Sequence, residues 1–219
     1  MFFVGSVVRP FMLIQYHESI TRQALSAHFN LHALEVVVAA NLKQDDLRGQ
    51  IGHDEYHFDN NAFEKPYAFI EGQRALAVAS LRNAEPPAAW AAFGRLTHTA
   101  QDFYAHSNYV DLWLSQHDDQ SPPPPLEIAP LIDKLIHSPD LRSGKLYYPL
   151  EALAFIPFLK RFVKPLLPRD SHTWMNLDSP EGGNRFEYAF EAALKRTQHE
   201  FDNTVAGLSS ELEALFTDL

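Results

Sequence analysis

Apolar residues recur along this chain at the three- and four-residue spacing of helices, and no strand–turn–strand rhythm interrupts them. His17 to Phe29 sets Ile20, Ala24, Leu25 and Phe29 on one face. Leu31 to Leu42 repeats the pattern with Leu34, Val37, Val38 and Leu42. Arg48 to Glu64 is polar, aromatic and irregular, and reads as a loop. Pro66 to Asn83 predicts a third helix. Pro86-Pro87 opens a fourth, over about Ala88 to Gln116, because proline suits a first helical turn. Pro122 to Pro125 reads as a polyproline spacer, and Ala129 to His137 as a short helix. After Gly182-Gly183 a last helix runs from Arg185 to about Phe216 on an apolar stripe that includes Phe186, Phe190, Leu194 and Phe201. The pattern predicts an all-α fold. Residues 1–219 read as a single helical domain, with a Pro-rich apolar insertion at residues 117–170.

Two apolar segments depart from the amphipathic pattern. Met1–Ile14 is apolar but broken by Arg9-Pro10, and it lacks the basic start and cleavage site of a secretion signal. The expectation is therefore a cytoplasmic protein. Tyr147–Pro168 is rich in Leu, Phe and Pro, and groups Lys160, Arg161 and Lys164. Its prolines forbid one long helix, and its basic residues argue against a spanning one. Each segment reads either as packed chain or as a surface that meets a phospholipid membrane. On the second reading the contacts are Phe2, Phe3, Phe155, Phe158, Lys160, Arg161, Phe162 and Lys164.

Composition narrows the chemistry. With 18 Lys and Arg against 28 Asp and Glu the net charge is −10, so no nucleic acid is expected as a partner. There is no cysteine, which excludes disulfides, thiolate metal sites and a cysteine nucleophile. Any metal must be held by carboxylates and by some of the 11 histidines.

The strongest chemical signal lies on the fourth helix. His98, Asp102 and His106 stand four residues apart, so they share one ridge. Neutral imidazole and carboxylate are zinc donors, and one ridge can offer them to one or two ions. A single helix cannot close such a site. His17, Asp45 with Asp46, the loop group of His53, Asp54, His57 and Asp59, and His172 six residues before Asp178 supply further donors from four other places. Asp59 and Asp178 look like turn formers. Glu200 is a late carboxylate candidate, whereas His28, His32, His117, His137 and His199 have no such company.

The phrase GRLTHTAQDFYAHSNYVDLW resembles the signature helix of the HET-C family, a relative of the zinc-dependent phospholipase C and single-strand nuclease fold. HESITRQAL, AANLKQDD, EYHFDNNAF and NLDSPE resemble accompanying segments, in the same order. The resemblance covers about residues 15–110 and 170–205. It implies an all-α domain of the phospholipase C/nuclease type holding two or three zinc ions. The implied metal ligands are His17, Asp45, His57, His98, Asp102, His106 and His172. The chain departs from the zinc phospholipases in beginning Met-Phe-Phe and in lacking a late HxxxE pair. The resemblance further implies a membrane-acting cell-death or toxin protein, expected as a homo-oligomer, hydrolysing phospholipid phosphodiesters with Asp54 as the candidate general base. The alternatives are a membrane-disrupting effector without turnover and a single-strand nuclease.

Overall fold

The computed structural model describes residues 13–46, 52–118, 120–154 and 156–219. Among the described residues there are twelve helices and no strand; the extended pairings are two isolated bridges, Ser107 with Ser143 and Lys145 with Ser171. The helices are α1 (Leu13–Leu25), α2 (Leu31–Leu42), α3 (Asp54–His57), α4 (Glu64–Arg82), α5 (Pro86–His106) and α6 (Tyr109–Leu114). They continue as α7 (Asp133–Ile136), α8 (Leu150–Ala154), α9 (Pro157–Val163), α10 (His172–Met175), α11 (Arg185–Val205) and α12 (Ser210–Thr217). The all-α expectation holds.

Helix α5 is the central element, packed against α2, α4 and α11, while α1 lies across α2 and α11. Its apolar residues Phe93, Leu96, Ala100 and Phe103 are fully buried. So is the ridge of His98 and Asp102, which means the helix has no purely solvent-facing side along this stretch. Close approach of α2 requires Gly94, where a Cβ would stand 2.2 Å from the Val37 carbonyl oxygen. Phe29, Phe93, Phe201 and Phe216 build an aromatic core at one end of α5, and Phe58, Phe103, Tyr104 and Tyr109 build another beside its C-terminus.

Several boundaries differ from the sequence pattern, each for a local reason. The first helix starts at Leu13 and stops at Leu25, and Asn30 then caps α2 by accepting a hydrogen bond from the His32 N–H. The long fourth helix breaks at Ser107, which is extended and pairs with Ser143. The carbonyl of His106 there accepts from the Gly144 N–H instead of continuing the helix. The stretch expected as a loop contains α3 and ends in three left-handed residues, Phe58, Asn60 and Asn61. The last helix divides, and Ser209 starts α12 by accepting from the Leu212 N–H. This return places Phe216 in the core, where its carbonyl accepts from Trp90 Nε1 at 2.6 Å. The expected short helix over Ala129–His137 is only the four residues of α7.

Candidate metal centre

Five elements deliver nine ionisable side chains to one buried region. Helix α1 brings His17, the turn after α2 brings Asp45, and α3 with its following turn brings His57 and Asp59. Helix α5 brings His98, Asp102 and His106, and α10 with the segment after it brings His172 and Asp178. All nine are buried. They form four groups able to hold a metal ion, three of them overlapping, within each of which one ligand atom per residue lies within 4.8 Å of the others. The groups are His17–Asp45–His98, His57–His98–Asp102, His17–Asp102–Asp178 and Asp59–His106–His172.

Distances across the region are short enough for hydrogen-bonded pairs and also for donors to one ion. His98 Nε2 lies 3.2 Å from Asp102 Oδ2, 3.7 Å from Asp45 Oδ1 and 3.3 Å from His57 Nδ1. His106 Nε2 lies 3.2 Å from Asp178 Oδ2. Tetrahedral N and O ligands on zinc at their usual bond lengths stand about 3.3 Å apart.

Neighbouring side chains fix the histidine tautomers. Gln101 donates both amide hydrogens, to Thr21 Oγ1 and Thr197 Oγ1, each at 3.0 Å. Its Oε1 therefore faces His17 Nδ1 at 2.7 Å and accepts a hydrogen bond from it. Nε2 is then the unprotonated nitrogen of a neutral His17, and it lies 3.1 Å from Asp102 Oδ1. His106 repeats the arrangement: its Nδ1 donates to the His57 carbonyl at 2.8 Å, which leaves Nε2 facing Asp178. A lone pair against a buried carboxylate is repulsive unless a cation, proton or metal, lies there. One buried oxygen each of Asp45 and Asp102 also has no hydrogen-bond partner; the Asp102 Oδ1 contact to His17 is ion-pair close but off the hydrogen-bond line.

With protons as the only cations, the titrations express the same demand. Burial opposes a charge on His17, but Asp102, Asp45 and Gln101 outweigh it and raise its pKa to about 10. Burial likewise opposes charge on His106, and Asp178 and Asp102 overcome it, holding the ring well above the usual value. His98 alone is lowered, because burial prevails over its carboxylate neighbours. Burial disfavours the Asp102 carboxylate, yet His98, His106 and His17 hold it well below the usual range.

All seven residues expected as ligands, His17, Asp45, His57, His98, Asp102, His106 and His172, are brought into this region. Asp59 and Asp178, read from the sequence as turn formers, stand with them. Each lies within six residues of a cluster histidine in the sequence, and that proximity was the available signal. Gln101, which orients His17, carried no sequence signal. Asp54 lies outside the groups, its carboxylate accepting from Asn60 Nδ2 at 2.9 Å. Glu200 is not among them either: it is buried in an ion pair with Arg196 and Arg74. Of the residues expected at a membrane, Phe2, Phe3 and Phe155 lie outside the described residues, while Phe158 and Phe162 are exposed on α9 beside Lys160, Arg161 and Lys164.

A family model described as VWA7 N-terminal domain matches residues 14–131. No curated protein and no solved structure matches the chain. The family match corrects the HET-C resemblance and, with it, the phospholipase C and nuclease kinship, the hydrolysis of phospholipid and the cell-death, toxin and membrane-disrupting readings. The resemblance rested on short His/Asp phrases. Helical geometry imposes such spacing on any site built along one ridge, so the phrases do not carry a family's activity with them. No described helix is long and apolar enough to cross a membrane.

Proposed function

The chain belongs to the VWA7 N-terminal domain family, and we propose that it is a divalent-metal-binding helical domain with two resident ions, zinc foremost. Seven of the nine clustered side chains fall within the matched residues 14–131; His172 and Asp178 follow later in the chain.

The observation that carries this reading is the closeness of His17 Nε2 and His106 Nε2 to buried carboxylates, 3.1 Å and 3.2 Å, with their Nδ1 atoms already committed as donors. Charge supports a pair of ions. The Asp59–His106–His172 group shares no residue with the other three, and Asp178 stands beside His106. Asp178 stands between the two sides, grouped with His17 and Asp102 and 3.2 Å from His106; counted with His106, it leaves His17, Asp45, His57, His98 and Asp102 on one side and Asp59, His106, His172 and Asp178 on the other. Each half holds two carboxylates, so one divalent cation neutralises each half, as burial requires. Imidazole and carboxylate without thiolate suit zinc among the common ions.

When bound, the ions supply cross-links between segments distant in sequence. The chain's own residues do the positioning: Gln101 turns His17, the His57 carbonyl turns His106, and Asp59 accepts from His172 Nδ1 at 2.9 Å. Tyr16, His17, Gln101, Asp178 and Phe186 line a small, largely apolar cavity that shares His17 and Asp178 with the cluster.

Thermal unfolding before and after chelation tests the reading. An ion at about 1,000 times its dissociation constant adds about 4 kcal/mol, so stripping should lower the midpoint by about 8 °C or more, and zinc should restore it. An unchanged midpoint in protein shown to be stripped contradicts a resident metal.

A further inference from the structure

Charge is unevenly distributed along this acidic chain. Lys145 to Arg169 contains five basic residues and one acid, Glu151, which is buried. The rest of the chain carries 13 basic and 27 acidic residues. The same stretch holds seven of the eleven large apolar side chains that are exposed among the described residues. Phe158, Phe162 and Leu166 are 68%, 59% and 69% exposed. They stand four residues apart along α9 and the 3-10 turn Lys164–Leu166, and so form one ridge.

This ridge is not the inward face of a poorly packed element. Val163 and Leu167 of the same segment are buried with Ala154 in a small core of their own, against Leu159 and Trp174. One cation contacts the ridge itself and the others lie around the same short segment. Lys164 and Arg169 lie 4.4 Å and 3.7 Å from the centre of the Trp174 ring, Arg161 lies 4.5 Å from that of Phe162, and Lys160 pairs with exposed Glu181.

We propose that this face docks on the surface of an anionic lipid bilayer. Phe158, Phe162 and Leu166 enter the boundary between headgroups and acyl chains, and Lys160, Arg161, Lys164 and Arg169 meet the phosphates. Charge complementarity selects this occupant. A second copy docking face to face would bring two basic surfaces together. An anionic surface attracts this face and repels the acidic remainder, which fixes the orientation of approach. Pro149, Pro157, Pro165 and Pro168 keep the helices short, so the segment lies in the plane of the interface. The proposal is independent of the metal centre.

Co-sedimentation of the 219-residue chain with vesicles tests it, using phosphatidylcholine alone or mixed with phosphatidylserine. The chain should bind the mixed vesicles and not the neutral ones, and release as salt rises. The Phe158→Ser/Phe162→Ser pair and the Lys160→Glu/Arg161→Glu pair should each weaken binding by about tenfold or more, with unchanged helical circular dichroism. If the aromatic pair unfolds, the charge-reversal pair decides. A chain that stays in solution with the mixed vesicles overturns the proposal, as do folded variants that bind like the parent. So does a dimer, seen by sedimentation without lipid, that the aromatic pair dissociates.

Discussion

Gln101 Oε1 lies 2.7 Å from His17 Nδ1, and this contact decides which nitrogen His17 presents to Asp102. Gln101 can play that part because Thr21 and Thr197 take its amide hydrogens. Gln101→Leu should therefore weaken retention of the ion in the His98 half by about 10- to 100-fold in chelator competition. The buried bonds lost to His17, Thr21 and Asn41 should also cost about 1–3 kcal/mol in the stripped protein, while Thr197 keeps its bond to the Ala193 carbonyl. Parental retention would show that Gln101 does not orient the ligand.

Gly144 makes the opposite half of the region possible. A Cβ at this position would stand 2.6 Å from His172 Cα and 3.0 Å from its backbone nitrogen. Gly144→Ala should push α10 away from Asp59 and weaken the ion of the His172 half by about tenfold or more, leaving the His98 half unchanged. Equal loss from both halves would mean that they are not separate.

Glu200 gives acid sensitivity a specific origin. Burial raises its pKa, but Arg196 and Arg74 outweigh this and hold it below the usual value of 4.5. A lowered folded-state pKa contributes stability that is fully present above the unfolded value and is lost as pH falls through the folded one. In chelator-stripped protein, Glu200→Gln should cost about 3–5 kcal/mol at neutral pH, because two arginines lose their carboxylate. The gap to the parent should narrow as pH falls below about 4.5. A gap that stays constant in denaturant titrations across that range would assign the cost to packing alone.

What was legible in the sequence followed from periodicity. The helical class, the α2 face of Leu34, Val37 and Val38, and the shared ridge of His98, Asp102 and His106 all need only a helical repeat to be seen. Seven of the nine clustered side chains were visible as donor types scattered along the chain, and it was the family resemblance that picked out those seven. The break at Ser107 was not legible, because its cause is Ser143, 36 residues away. Asp59 and Asp178 were hidden for the same reason: a turn aspartate and a clustered aspartate look alike until the chain folds back. Glu200 shows the converse, a carboxylate with ligand-like surroundings in sequence whose partners are two arginines. Short phrases were the poorest guide, since they suggested a family that the match over residues 14–131 replaces.

The central claim is two ions in two separable halves, and elemental mass spectrometry of the purified chain tests it most directly. The parent should carry about two divalent ions per chain, and His98→Ala and His172→Ala about one each, from different halves. A double variant should carry none. A parent without bound metal, or single variants that retain the parental count, would contradict the account.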